Sequence, residues 1–286
     1  MKNNYPEISV VMSVYNGLPF LNAAIESVLS QSFTDFEFII IDDASTDGSR
    51  DIIEYYHKID PRIVVIFNDV NFGGTGLGYN LAKGVEIARG KYVARMDSDD
   101  ISVVDRFEIQ RRYLVDNGDI DIVGSWAVDI DENDNVLQVR KYPTTHSEII
   151  RLIWANPIIH PSVLFKRDSI LKIGNYAFNT GRKDDYDLWF RAVRFGLKFS
   201  NIPIPLLKYR FFSNYYSKNG FRAAMMHVRI GLIGCWIIRA SPLAFVGVLV
   251  PFFRTLLPGK MRNGFHKIMN RFDPRRRESL VKKERR

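Results

Sequence analysis

The sequence predicts an α/β fold, a mainly parallel sheet flanked by helices. Two observations carry the prediction. Apolar runs of strand length alternate with amphipathic helical patterns through the first hundred residues. Each run then stops in a polar cluster: Tyr15-Asn16, Asp42-Asp43, Asn71 to Gly74, and Asp97 to Asp100. In parallel α/β sheets ligands bind outside the carboxyl ends of the strands, so four such clusters on one edge describe a cleft.

Ile8 to Val14 is the first apolar run, ended by the turn residues Tyr15-Asn16-Gly17. Pro19 opens a helix with Leu21, Ala24, Ile25, Val28 and Leu29 on one face. Phe36 to Ile41 is the second strand, after which Asp47 or Thr46 caps a helix carrying Ile52, Ile53 and Tyr56. Ile63 to Phe67 is the third strand, a helix runs from about Gly76 to Ala88, and Lys91 to Met96 is the fourth. Asp105 then caps a helix to about Asn117, Ile120 to Val128 reads as a strand, and Val136 to Arg140 pairs with it as a hairpin. Further helices are expected near Ser147 to Trp154, after Arg167, and from Gly181 to Arg191. In the last of these Leu188, Trp189 and Ala192 face inward. Asp184 and Asp185 lie at its amino end, where the helix dipole favours anions, and capping explains them as readily as chemistry does.

The 286 residues, 46% hydrophobic, are enough for a full core. The single cysteine, Cys235, excludes an internal disulfide and sits in an apolar run, which makes it a buried thiol and an intracellular location the expectation. Met1 to Glu7 is short and polar, so no secretory signal is expected there. The net charge of +8 is a property of the tail: from Arg254 onward twelve Lys and Arg face only Asp273, Glu278 and Glu284, which leaves about −1 for everything before. That distribution fits a membrane surface and argues against nucleic acid. Two motifs fail on inspection. Gly73 to Gly78 has Tyr79 where a dinucleotide fingerprint needs its third glycine, and Gly84 to Lys91 is one residue too long for a phosphate loop.

The chemistry gathers at Asp97-Ser98-Asp99-Asp100. Oxygen ligands without cysteine or a nearby histidine suit Mg²⁺ or Mn²⁺, ions that bridge to substrate phosphates; a solvated acidic turn is the plainer alternative. ISVVMSVYNG, IIIDDASTDGS, KYVARMDSDDIS followed by Arg106, NPIIHPSVLF and KDDYDLWFR, in that order, resemble the successive signatures of the family 2 glycosyltransferases. The resemblance covers about Ile8 to Tyr209 and implies the GT-A fold, Rossmann-like, with a nucleotide-sugar half at about 1–100 and an acceptor half at about 101–216. It implies that Ser13 and Tyr15 line the base pocket with Asp43 and Asp42, that Asn71, Gly73 and Ser98 belong to the nucleotide site, and that Asp97, Asp99 and Asp100 hold the metal. Asp185 corresponds to the catalytic base, with Asp184 where glutamate is usual. His160, Asp184 and Arg210 are candidate acceptor or diphosphate contacts, with a histidine that orders a loop the alternative for His160. Arg210 is a candidate cation, because Phe211 and Phe212 stand where relatives carry a histidine.

After Tyr216 the composition shifts. Ile230 to Ile238 and Ala240 to Phe253 are apolar but too short to span a bilayer. They read as membrane-interface helices within a basic region, 217–286; a helical pair packed on the catalytic domain and a single bent span are the alternatives. The expectation is therefore an inverting, metal-dependent transferase of one sugar from a nucleotide-diphosphate sugar, UDP-type, to a lipid-linked saccharide of a bacterial surface polysaccharide. It would work as a peripheral or monotopic protein on the cytoplasmic face of the plasma membrane. A sugar-phosphate nucleotidylyltransferase should carry a Gly- and Arg-rich loop after the first strand, and Tyr15-Asn16-Gly17-Leu18 lacks it. A catalytically inactive binding protein of the same fold is the other alternative.

Overall fold

The fold is that of a computed structural model, which describes residues 5–212, 221–256 and 273–275. The first half alternates as the apolar pattern requires: β1 (Ile8–Val14), α1 (Leu21–Leu29), β2 (Phe36–Asp42), α2 (Ser49–Ile59), β3 (Ile63–Phe67), α3 (Gly76–Ile87) and β4 (Tyr92–Asp97). The second half adds β5 (Ile101–Ser102), α4 (Arg106–Asp116), β6 (Ile122–Ile130), β7 (Val136–Arg140), α5 (His146–Arg151), β8 (Leu164–Lys166), α6 (Arg167–Lys172), α7 (Asp184–Arg194) and β9 (Phe199–Arg210). Two helices, α8 (Phe221–Ile237) and α9 (Pro242–Leu256), follow.

Among the described residues nine strands join one sheet in the order β3-β2-β1-β4-β8-β6-β9-β5, with β7 on β6. The β3-β2-β1-β4 portion is parallel. Beyond β4 the sheet is mixed: β8 is antiparallel to β4 and β6, while β6 and β9 are parallel. Register sets the working edge. Ser13 pairs with Asp97, and Val14 with Asp42, so the last residues of β1, β2 and β4 arrive side by side.

Alternation along the strands splits the core into two layers. Val10, Met12 and Val14 face α1, α2 and α4, packing with Leu21, Ile25, Ile53 and Phe107. Val11 and Val93 face the other way, toward Leu81, Val85, Leu188, Trp189 and the α8–α9 pair, where Cys235 is buried as expected. Each such side chain, fully buried, contributes about 1.5–3 kcal/mol.

Local details differ from expectation at several helix starts. α1 begins at Leu21 rather than Pro19. The residue preceding α2 is Gly48, and Asp47, one position earlier, does the capping by accepting from the Ser49 amide and hydroxyl at 3.0 and 2.6 Å. Asp105 precedes α4, yet its side chain makes no capping hydrogen bond. Strand β9 was not expected at all.

The C-terminal pair packs on the domain through small residues. A side chain at Gly234 would collide with the Phe190 ring, and one at Gly231 with Val248 and Tyr186. The opposite face exposes apolar residues, Trp236 at 76%, Leu243 at 72% and Val246 at 62%. Among the described residues no helix is long and apolar enough to cross a membrane. The 216/217 boundary falls in 213–220, and most of the basic tail after Leu256 likewise lies outside the described residues.

Candidate active site

Asp97 closes β4, and the turn after it brings Asp97, Asp99 and Asp100 together, with one carboxylate oxygen of each within 4.8 Å of the others. Asp100 is 1% exposed; its Oδ1 accepts from the Arg210 amide at 2.8 Å, while its Oδ2 is buried without a partner. Burial, and then the neighbouring Asp97, push Asp99 up to about 7, and the same causes with Asp99 added raise Asp100 well above the carboxylate range. Three crowded carboxylates with an orphaned oxygen resist full ionisation unless a cation joins them. The donor set, all hard oxygens, fits Mg²⁺ or Mn²⁺.

Two arginines hold this loop. Arg95 lies two residues before Asp97 on the same side of β4, 4% exposed, and its guanidinium pairs with the Asp97 carboxylate. Burial opposes its charge, and Asp97 outweighs burial, so the guanidinium is held charged. Arg210, at the end of β9, donates from Nε to the Asp99 carbonyl at 2.8 Å and from Nη1 to the Asp131 carbonyl at 2.9 Å. Its Nη2 pairs with Asp134 at 2.8 Å, and the guanidinium stacks over Phe20.

At the ends of β1 and β2 a hydrogen-bonded rail crosses the edge. Asn80 Nδ2 donates to Ser13 Oγ at 3.0 Å, and Asn68 Nδ2 donates both to Asn80 Oδ1 at 2.9 Å and to Asp43 Oδ1 at 3.0 Å. Asn71 Nδ2 donates to Asp43 Oδ2 at 3.0 Å, and Asn71 Oδ1 accepts from the Gly73 amide at 2.7 Å. Gly73 has φ +60°, a conformation suited to glycine. Tyr15 stands exposed at the rim, and Ser98 Oγ lies against Gly17.

Opposite, α7 presents its amino end. Asp184 is 3% exposed and accepts from Thr180 Oγ1; burial pushes its carboxyl up to about 6, against the Thr180 hydrogen bond and with help from Asp185. Asp185 is partly exposed, and Asn156 donates to its Oδ2 at 2.7 Å. Asn156 holds φ +53°, which turns the chain so that its amide meets α7. The glycines dismissed as a dinucleotide fingerprint have a local reason: side chains at Gly76 and Gly78 would strike Asp43 and Asp184 respectively. Their absence lets α3 wedge between the two acids.

The family model of glycosyl transferase family 2 matches residues 9–187, a span that contains every carboxylate just described. The chain belongs to this family. An uncharacterized glycosyltransferase, MJ1057, of Methanocaldococcus jannaschii is 40% identical over 210 residues, 72% of this chain and 71% of that protein. The Escherichia coli UDP-Gal:alpha-D-GlcNAc-diphosphoundecaprenol beta-1,3-galactosyltransferase is 27% identical over 282 residues, 95% of this chain and 100% of that one. Among solved structures, Staphylococcus aureus TarS 1–349 in complex with UDP-GlcNAc superposes with a TM-score of 0.65 at 17% identity, covering 87% of this chain and 71% of that one. In another structure of S. aureus TarS the match spans 45% of that chain. At that identity the superposition speaks for the fold, a mixed α/β sheet of GT-A type.

In this glycosyltransferase three of the residues singled out from sequence are otherwise engaged. Asp42 is fully buried, and its carboxylate is taken by the Ser45 amide and by Arg50 at 3.3 Å, so it shapes the loop after β2. Arg210 spends Nε, Nη1 and Nη2 inside the protein and clamps the acidic loop from behind. His160 shares a 2.8 Å hydrogen bond with Tyr176 and packs on Trp189; burial, with Arg95 adding, holds its imidazole well below the usual range. Three other residues were passed over. Asn80 lies inside the α3 pattern, Asn156 is a left-handed residue that no periodicity reveals, and Arg95 sits inside an apolar run although its i, i+2 spacing to Asp97 puts both on one side of a strand.

Proposed function

We propose that this glycosyltransferase moves one sugar from a UDP-type nucleotide-diphosphate sugar to a hydroxyl of a lipid-linked saccharide, with inversion, in assembly of a bacterial surface polysaccharide. The supporting observation is the carboxylate cluster Asp97-Asp99-Asp100 after β4, paired with buried Arg95, together with α3, which packs against Asp43 at one point and Asp184 of α7 at another. Residues up to about 100 form the nucleotide-sugar half and 101–216 the acceptor half. Ser13, Tyr15 and Asp43, with Asn71, Gly73 and Ser98, line the nucleoside site, and the rail through Asn68 and Asn80 fixes Asp43 and Ser13 before the ligand arrives.

Asp97, Asp99 and Asp100 would hold Mn²⁺ or Mg²⁺. Such an ion, when bound, stabilises the charge that develops on the departing diphosphate. Asp185, oriented by Asn156, takes the proton of the acceptor hydroxyl as that oxygen bonds to the anomeric carbon. The bond from that carbon to the diphosphate oxygen breaks on the opposite face, and the nucleoside diphosphate leaves with the electron pair. One displacement inverts the centre. The lipid-diphosphate acceptor in the name of the E. coli relative, and the exposed apolar face of α8 and α9, support an acceptor met at a membrane surface.

Calorimetric titration with UDP, GDP and dTDP, each with and without Mn²⁺, tests the donor assignment. UDP is expected to bind in a metal-dependent way. Asp99→Asn should weaken that binding about tenfold or more. Asp185→Asn should keep it while transfer falls by about 10²–10⁴. Weak nucleotide binding by Asp185→Asn would make that residue structural, and no nucleotide binding by the folded protein would sink the donor site.

A further inference from the structure

Between α7 and α8 lies a cavity of about 370 Å³ that the reaction as described does not use. One wall is a stripe along α7. Asp184, Asp187, Arg191 and Arg194 recur at i, i+3, i+7 and i+10, so they share one face and cover about 15 Å of helix. The stripe starts at the buried carboxylate of the candidate site, whose partner Thr180 also lines the cavity. The other wall, from α8, supplies Arg229 together with Met226, Ile230, Ile233 and Ile237.

The charge of this groove is unbalanced. Asp187, its one carboxylate at mid-length, is consumed by Arg191 Nε at 2.7 Å. Arg191 Nη1 donates to the Ile173 carbonyl at 2.8 Å, and its Nη2 is buried with no partner. Arg194 and Arg229 are exposed, and neither has an ion-pair partner among the described residues. The groove is thus cationic beside an apolar strip, and Ile233 at 52% exposed and Trp236 at 76% carry that strip outward along α8. Guanidinium groups suit phosphate oxygens, and an aliphatic strip suits a hydrocarbon chain.

We propose that this groove binds the diphosphate and the first isoprenoid units of a lipid-diphosphate-linked acceptor, with Arg191, Arg194 and Arg229 on the phosphates and Ile233 and Trp236 on the chain. The stripe then leaves the sugar at the Asp184-Asp185 end of α7. This deepens the lipid-linked reading of the acceptor and rests on it.

The test is calorimetric titration of the full chain with farnesyl diphosphate in EDTA, so that no metal recruits a diphosphate to the acidic loop. Inorganic diphosphate, farnesol and geranyl diphosphate serve as comparison ligands. Farnesyl diphosphate should bind more tightly than all three. Arg194→Gln/Arg229→Gln should bind it at least about tenfold more weakly, and Ile233→Glu should erase its advantage over geranyl diphosphate. No binding by the unaltered protein, unchanged affinity in the double variant, or inorganic diphosphate binding as tightly as the lipid would overturn the assignment. So would an equal loss of binding to phosphatidylglycerol vesicles, which would give the arginines to the bilayer surface. UDP titration with Mn²⁺ is run on the same samples. Loss of lipid-diphosphate binding with UDP affinity intact bears on the groove alone, whereas failure of UDP binding in the unaltered protein removes the donor reading and leaves the groove to stand on its own titration.

Discussion

Asp184 is kept where a charged carboxylate destabilises the fold. Its folded pKa of about 6 lies above the ordinary 3.8, so the folded protein holds the proton more tightly than the unfolded chain does. Its favourable contribution is therefore complete below about 3.8 and is lost as pH rises through about 6. The gap corresponds to about 3 kcal/mol at pH 8. Asp184→Asn should be more stable than the unaltered protein at pH 8 and no more stable at pH 4, as read from urea denaturation at the two pH values. Equal stability at pH 8 would mean that the buried acid is not strained by ionisation. The carboxylates after β4 and before α7 could be read from the sequence because Asp in such positions needs a reason. Asn80 and Asn156 could not, since their roles depend on which distant side chain each meets, Ser13 and Asn68 for the one and Asp185 for the other, whereas the pairing of Arg95 with Asp97 follows from their i, i+2 spacing on one strand.

At the scale of elements, the four parallel strands were legible because buried parallel strands are plain apolar runs bounded by turn residues. β9 was hidden for a definite reason. It contains Pro203 and Pro205, and proline cannot donate to a ladder. The structure accommodates them by skipping register twice: Ser125 pairs with Ile202, Trp126 with Pro205 and Ala127 with Leu207, which leaves Pro203, Ile204 and Leu206 without partners on β6. β8 and β5, three and two residues long, exist only through the strands beside them. The α7–α8 contact offers a test at this scale. Gly234→Ala places a methyl group against the Phe190 ring, and overpacking of this kind costs roughly 1–3 kcal/mol. We expect a lower melting temperature and faster proteolysis of α8–α9, with metal-dependent UDP binding retained; loss of that binding would show that α8 supports the donor site.

Taken whole, the described residues present two unlike surfaces, an acidic cluster on one edge of the sheet and an apolar face on α8 and α9. Packed helices and membrane-interface helices were alternatives in the sequence, and the fold allows both at once, because the glycine face of α8 serves the first and Trp236, Leu243 and Val246 are free for the second. Trp236→Glu/Leu243→Glu should reduce sedimentation with phosphatidylglycerol vesicles, and removal of the chain from Arg254 onward should reduce it further and make the remainder insensitive to salt. If neither change has an effect, the membrane contact lies elsewhere or does not exist.

The clamp that Arg210 places on Asp99 and Asp100 has a consequence for the order of synthesis. The strands that present the acidic loop leave the ribosome first, and the residue that fastens it follows 110 positions later, on the last strand of the sheet. A nascent chain that already carries Ser13, Asp43 and Asp97 still lacks the Arg210 contacts to the loop after β4. Translation therefore has to reach the end of β9 before that loop can acquire its clamp.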